Sequence, residues 1–330
     1  MAKLTKTPKT LGSASRNSVG FTTGQGKSHG KLILLGEHVV VYGRTAIAYP
    51  LNTLTVHAQA KLGSGVHEIE SPYYTGPVLT TAAITAAPHK AIEMSLALVK
   101  QKDKILRIKL HSDLPMSRGL GSSAAVAAAI AGAICDLFKH QVSAQQKYEI
   151  VQAAEQIAHG KSSGLDASAI CAGEAIVFQD GKFTNLKTNL EAYFIIADTG
   201  IHGLTRKAVS DVRTFYEADP KTVNALLNKA EVLPQDALTK LATGDEIGLG
   251  ELMFSAHTVL QQLGVSHPQL DKLVNSAKAH GALGAKLTGG GQGGCIVALT
   301  KTAAEATTLG EQLLAEGAAN VWISPSKKLD

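Results

Sequence analysis

Two carboxylates, Glu155 and Asp166, flank the turn His159-Gly160-Lys161-Ser162-Ser163-Gly164. Helical spacing over 144–158 sets Ile150, Val151, Ala154, Ile157 and Ala158 on one arc. Glu155 lies at the edge of that arc, while Gln152 and Gln156 point away. The turn then presents Asp166 from another direction. Carboxylates placed this way can divide labour, one binding a hard divalent cation and the other accepting a proton from a hydroxyl. The same residues also suit a plain alternative, a surface Glu and an Asp that caps a short helix at 167–171.

A second constellation is Pro115-Met116-Ser117-Arg118-Gly119-Leu120-Gly121-Ser122-Ser123. Gly119 and Gly121 remove side chains where an anion would approach the backbone, and the helix that follows offers its N–H groups to phosphate. Ser123 falls in the first turn, where its hydroxyl can reach a metal held by such phosphates. No Gly-Lys-Ser/Thr follows the glycines, so this is not a Walker A loop. A turn with a Ser cap would read the same way. Two further segments stand out. Lys31 opens the apolar run Leu32-Ile33-Leu34-Leu35, which ends in Gly36-Glu37-His38. Lys286-Leu287-Thr288 leads into Gly289-Gly290-Gly291-Gln292-Gly293-Gly294, glycines that imply positive φ or close backbone packing.

These residues need elements to hold them. Short strands are expected at 32–35 and 39–42, another at 54–60, and a helix at 82–100. The alternation over 105–111 predicts a half-exposed strand, and an Ala-rich helix follows at 122–138. A strand at 175–179 precedes the hairpin signal Asp180-Gly181. The pattern changes near Asn189. An apolar strand at 193–197, helices through 206–280, a strand at 295–299, a helix and a strand at 321–324 complete the chain. At 330 residues, two domains are expected, at 30–188 and 189–330.

Composition narrows the function classes. The net charge of +5 comes from residues 1–30, which carry five basic side chains and no acidic one. The remainder balances 27 basic against 27 acidic residues, so no nucleic-acid partner is expected. Residues 1–29 are expected to be a disordered extension. Cys135, Cys171 and Cys295 are well separated and in apolar contexts, which suits a reducing, cytoplasmic compartment. The apolar run 124–135 is too short to span a bilayer, so no membrane partner is expected.

Taken in order, the Lys31 segment, the Pro115-x-x-x-Gly119-Leu120-Gly121-Ser122-Ser123-Ala124 loop and the Gly-rich 288–294 loop resemble the GHMP kinase family from about Gly30 onward. Within that family, Gly36-Glu37-His38, His159-Gly160 through Asp166, and Gly264-Val265-Ser266-His267-Pro268 are similar to the branch that acts on mevalonate. The resemblance implies an α+β, two-domain GHMP kinase fold, with a ribosomal-S5-like N-terminal domain and a ferredoxin-like C-terminal domain. It implies ATP- and Mg²⁺-dependent phosphorylation of the C5 hydroxyl of mevalonate. By the same analogy Asp166 is the base and Lys31 its cationic neighbour. Ser123 and Glu155 would hold Mg²⁺. Pro115, Ser117, Arg118, Gly119, Leu120, Gly121, Ser122 and Ser123 would bind ATP, and Glu37, His38 and Thr205 would lie near the acceptor. Gly203 stands where animal members carry Arg, which leaves the cation for the acceptor carboxylate unassigned. A homodimer is allowed by the resemblance. Other GHMP kinases acting on galactose, homoserine or phosphomevalonate are the alternatives, as is an inactive metabolite-binding regulator on the same fold.

Overall fold

The computed structural model describes residues 23–160 and 162–327. Its first part contains β1 (Gly24–Leu35), β2 (Ala46–Leu62), β3 (Glu68–Glu70), β4 (Thr75–Pro77), α1 (Ala83–Leu98) and β5 (Leu106–Ser112). It continues with α2 (Ser122–Leu137), α3 (Ala144–His159), α4 (Leu165–Ala172), β6 (Ile176–Gln179) and β7 (Lys182–Asn185). The seven strands form one sheet in the order β4-β3-β5-β2-β6-β7, with β1 paired to β2. β2 is long enough to serve three partners, pairing β1 along most of its length, β6 through Ala46–Ala48 and β5 through Val56–Leu62.

The chain then enters a second sheet. It is built from β8 (Tyr193–Asp198), α5 (Thr205–Ala218), α6 (Pro220–Thr243), α7 (Glu246–Gln262) and α8 (Pro268–Ala279). β9 (Gly284–Thr288), β10 (Cys295–Thr300), α9 (Ala303–Ala315) and β11 (Asn320–Pro325) complete it. Its four strands are antiparallel in the order β11-β8-β10-β9. Tyr49 of β2 meets Phe194 of β8 edge to face, with ring centroids 5.2 Å apart, so the two sheets share an aromatic contact. Among the described residues no helix is long and apolar enough to cross a membrane.

Several expectations are corrected. The extension expected over 1–29 falls partly outside the described residues, but 24–29 form the start of β1 rather than a disordered tail. Gly24 and Gly26 explain why. A Cβ on Gly26 would sit 2.0 Å from the Ala129 carbonyl of α2, so the strand lies directly against the Ala-rich helix. Glycine here permits close packing. The strand expected at 39–42 is instead a single 3₁₀ turn, Val40–Tyr42, closed by left-handed Gly43. Ile157, placed on the same arc of α3 as buried Ile150, Val151 and Ala154, is 50% exposed.

β9 has no strand on its outer side, and helix α7 protects that edge. The Leu287 N–H donates to Nδ1 of buried His257 (3.3 Å), which assigns the proton to Nε2, and Nε2 donates to Asp271 of α8 (3.1 Å). The Ser266 hydroxyl donates to the same Asp271 oxygen. Burial holds the His257 imidazole down at about 4, against the pull of Asp271 and with the help of the Lys286 charge. The unfolded chain takes up this proton near 6.5 and the folded one only near 4, so stability falls as pH drops through that window. Chemical denaturation should therefore show the stability gap between the wild type and His257→Gln shrinking by about 2 kcal/mol from pH 7 to pH 5. A gap independent of pH would contradict the neutral buried imidazole.

Candidate active site

The loop before α2 is built from left-handed residues. Ser117 (φ 56°), Gly119 (φ 79°) and Gly121 (φ 73°) turn the chain so that α2 begins at Ser122. At two of these positions glycine is required by contact as well as by φ. A Cβ on Gly121 would fall 2.8 Å from Lys31 Cγ, and one on Gly119 would fall 2.9 Å from the Thr288 carbonyl. The second Gly-rich segment returns the contact, since a Cβ on Gly289 would lie 2.7 Å from Gly119 Cα. The two loops thus touch backbone to backbone. The Gly203 N–H donates to the Ser117 carbonyl (2.9 Å), and both the N–H and hydroxyl of Thr199 donate to the Gly294 carbonyl (3.0 and 2.7 Å). The 264–268 segment braces the same region, because the Val265 carbonyl accepts the Gln292 N–H at 2.8 Å.

Two of the residues expected to bind ATP are committed elsewhere through their side chains. Arg118 donates to Asp198 (2.7 Å) and to the Gly200 carbonyl (3.1 Å), joining the loop to the end of β8. Leu120 is buried in the core, and its carbonyl accepts the Lys31 N–H at 3.0 Å. Both therefore shape the loop. Pro115, Ser122 and Ser123 are half-buried, with the two serines in the first turn of α2, where helix N–H groups have no intrahelical acceptor. That end of a helix favours anions.

Lys31 connects this loop to the carboxylates. Its side chain is buried within β1, and its ammonium donates to Asp166 Oδ1 (2.9 Å) and to the Gly119 carbonyl (3.1 Å). Asp166 lies in the first turn of α4, after left-handed Gly164, and its side chain keeps 29% of its surface exposed. Glu155, from α3, is closed in with a side-chain exposure of 2%. One carboxylate oxygen, Oε1, has no hydrogen-bond partner, and the other is 3.6 Å from His159 Nε2. Burial, followed by repulsion from Asp166, pushes Glu155 up to about 7, while the nearby Ser123 hydroxyl and Lys31 pull it down. An unpartnered buried carboxylate oxygen beside a hydroxyl and a second carboxylate is an oxygen-only donor set. It suits a hard divalent cation whose remaining ligands come from phosphate and water.

The third group lies where the two sheets face each other. Glu37, expected near the acceptor, is instead buried in an ion pair with Lys286 of β9, whose side chain is 0% exposed. Removal from water pushes the Glu37 carboxyl up and the Lys286 ammonium down, and each charge opposes the shift in the other. His38, at φ 62°, places Nε2 2.9 Å from the Gly290 carbonyl, and burial lowers it to about 4. Thr205 begins α5 and is exposed, and its Oγ1 lies 2.2 Å from where a Gly290 Cβ would be. His38, Gly290 and Thr205 are therefore contiguous, whereas the Glu37 carboxylate is spent on Lys286. Sequence reasoning missed Lys286 as the counter-charge. The signal was present: a lysine between Ala285 and Leu287, in a segment apolar on both sides, needs a buried acid.

The sequence pattern of the GHMP kinases N terminal domain matches residues 88–174, and that of the GHMP kinases C terminal matches residues 237–319. The mevalonate kinase of Pyrococcus horikoshii is 35% identical over 292 residues, covering 82% of this chain and 86% of that one. The chain belongs to the GHMP kinase family. This GHMP kinase is also 32% identical to the mevalonate kinase of Aeropyrum pernix, over 82% of its own length and 87% of the other. Among solved structures it is similar to L. major mevalonate kinase in complex with R-mevalonate, at 27% identity and a TM-score of 0.80, over 92% of this chain and 97% of that one. A kinase from Staphylococcus aureus, described as a mevalonate kinase, matches at 29% identity and a TM-score of 0.68, over 92% and 98%.

The Glu37–Lys286 pair joins the two sheets of this GHMP kinase. Lys286→Met leaves a buried carboxylate unpaired and should cost about 3–5 kcal/mol in urea unfolding. Adding Glu37→Gln should restore part of that loss. A single variant as stable as the wild type would show that the pair is not closed to water.

Proposed function

We propose that this GHMP kinase transfers the γ-phosphoryl group of ATP to the C5 hydroxyl of mevalonate, giving 5-phosphomevalonate. The observation that carries the reading is the Lys31–Asp166 pair at 2.9 Å, set against the loop that opens α2. Its support in kind is the sequence likeness to mevalonate kinases over most of their length.

Phosphoryl transfer asks a protein chiefly for positioning and charge neutralisation. The backbone N–H groups at the start of α2, with Ser122 and Ser123, receive the phosphate oxygens. Ser123 and Glu155 are the residues that would hold Mg²⁺, which when bound offsets phosphate charge. Asp166 has one oxygen held by Lys31 and a partly exposed carboxylate, so it is placed to accept the alcohol proton. Lys31 also lies where negative charge develops during transfer. His38 and Thr205 form the wall that the acceptor would face. The unpaired cysteines suit a reducing cytoplasm, where this metabolite chemistry is expected to run.

A coupled assay of ADP release with purified protein, Mg-ATP and mevalonate tests the proposal. Mevalonate should be turned over in preference to galactose, homoserine and phosphomevalonate. Asp166→Ala should lower kcat at least ~100-fold without unfolding the protein. Wild-type-like turnover in that variant would reject the assignment of Asp166, and silence of the wild type with mevalonate would reject the substrate.

A further inference from the structure

Among the described residues, two lysine or arginine ion pairs have both side chains almost closed to water, Lys286–Glu37 and Arg118–Asp198. The first joins the two sheets. The second begins inside the loop that opens α2, where residue 118 stands between left-handed Ser117 and Gly119. The Arg118 side chain is 11% exposed and that of Asp198 3%, so solvent and salt screen the pair little. An arginine in a loop suited to phosphate has every electrostatic reason to reach for the anion. This one turns instead to the second sheet's domain.

The contacts around it close a ring. Arg118 Nε donates to Asp198 Oδ1 (2.7 Å) and Nη2 to the Gly200 carbonyl (3.1 Å), while the Gly200 N–H donates to the same Asp198 oxygen (2.9 Å). The remaining nitrogen, Nη1, lies 3.5 Å from the Met116 carbonyl of its own loop. The guanidinium thereby pins the turn at the end of β8. That turn carries Thr199, whose N–H and hydroxyl both hold the Gly294 carbonyl. Gly294 leads back to the start, since a Cβ there would lie 3.0 Å from the Arg118 carbonyl. Just past the turn, the Ile201 carbonyl accepts the Gly294 N–H (2.8 Å), and the Gly203 N–H donates to the Ser117 carbonyl. Arg118 to Asp198 is the one link of this ring between two charged side chains. A planar guanidinium with two donors engaged fixes direction as well as distance.

We infer that Arg118 is a positioning residue for the nucleotide. Through Asp198 it holds the loop in the shape that presents the N–H groups of α2 to phosphate, and it does not touch the phosphate itself. This rests on the reading of the cleft as an ATP site. Asp198, in the other domain, is then as necessary to nucleotide binding as Arg118.

Direct contact and positioning predict opposite effects of Asp198→Asn. Released from its carboxylate, an arginine that gripped phosphate would bind it at least as well; a positioning arginine loses its anchor. The measurement is calorimetric binding of Mg-AMP-PNP, a non-hydrolysable ATP analogue, set beside KM for ATP. Arg118→Gln and Asp198→Asn should each raise Kd roughly 10–100-fold, the range of a hydrogen bond to a charged group. The double variant should bind no worse than the weaker single one, and Arg118→Lys should recover part of the loss. KM for ATP should rise with Kd, with kcat at saturating ATP close to that of the wild type. Arg44→Gln, which breaks another ion pair between the domains, should leave Kd unchanged. Asp198→Asn that binds as tightly as the wild type overturns the inference alone, as does a loss of binding stoichiometry or of kcat at unchanged Kd. Should Arg118→Gln fail to fold, Asp198→Asn and Arg118→Lys decide by the same outcomes. A wild type that does not bind Mg-AMP-PNP overturns the ATP-site reading, and the inference with it.

Discussion

A lysine ammonium taken out of water has to be met by acceptors, and most of this site follows from how Lys31 is met. Its two hydrogen-bond acceptors, Asp166 and the Gly119 carbonyl, come from α4 and from the loop before α2. An unpaired buried charge would be strongly destabilising, so three separate stretches of chain are held in register by one group. The stem of the lysine imposes a second condition. It passes so close to residue 121 that only glycine fits there, and that glycine's left-handed backbone is what starts α2. Charge pairing and helix initiation are thus one constraint seen from two sides.

The glycines of 288–294 extend the constraint to the other domain. Gly119 and Gly289 meet without side chains between them, and the Thr288 hydroxyl accepts the Ile33 N–H (3.0 Å) while donating to the Ile33 carbonyl (3.1 Å) of β1. The buried Lys286–Glu37 pair ties the same two sheets together. Together these contacts fix the loop before α2 against both sheets. Rigid backing of this kind suits a reaction in which the protein contributes geometry more than covalent chemistry.

Much of this was legible in the sequence because periodicity and glycine carry local physics. Helices α2 and α3, the Asp180-Gly181 turn and the β10 strand follow from spacing and φ preference. The Gly-rich segment was also readable as tight packing. What was not legible depended on partners distant in the chain. Residues 24–29 look like a polar tail until α2 is placed against Gly24 and Gly26. Val39-Val40-Val41 has strand propensity, yet left-handed residues on both sides, His38 and Gly43, leave room only for a 3₁₀ turn. Glu37 looks like a polar residue at a strand end until Lys286, far along the chain, is brought against it. Arg118 sits in a loop that suits phosphate, but Asp198 claims its guanidinium.

The most direct test of this arrangement is the turnover of Lys31→Met set beside that of Lys31→Arg, with thermal melting to show that both are folded. If Lys31 positions Asp166 and offsets charge in the transfer, the methionine variant should lose at least ~100-fold in kcat, and arginine should regain part of it. A folded Lys31→Met enzyme with undiminished kcat would contradict the claim that this buried cation organises the site.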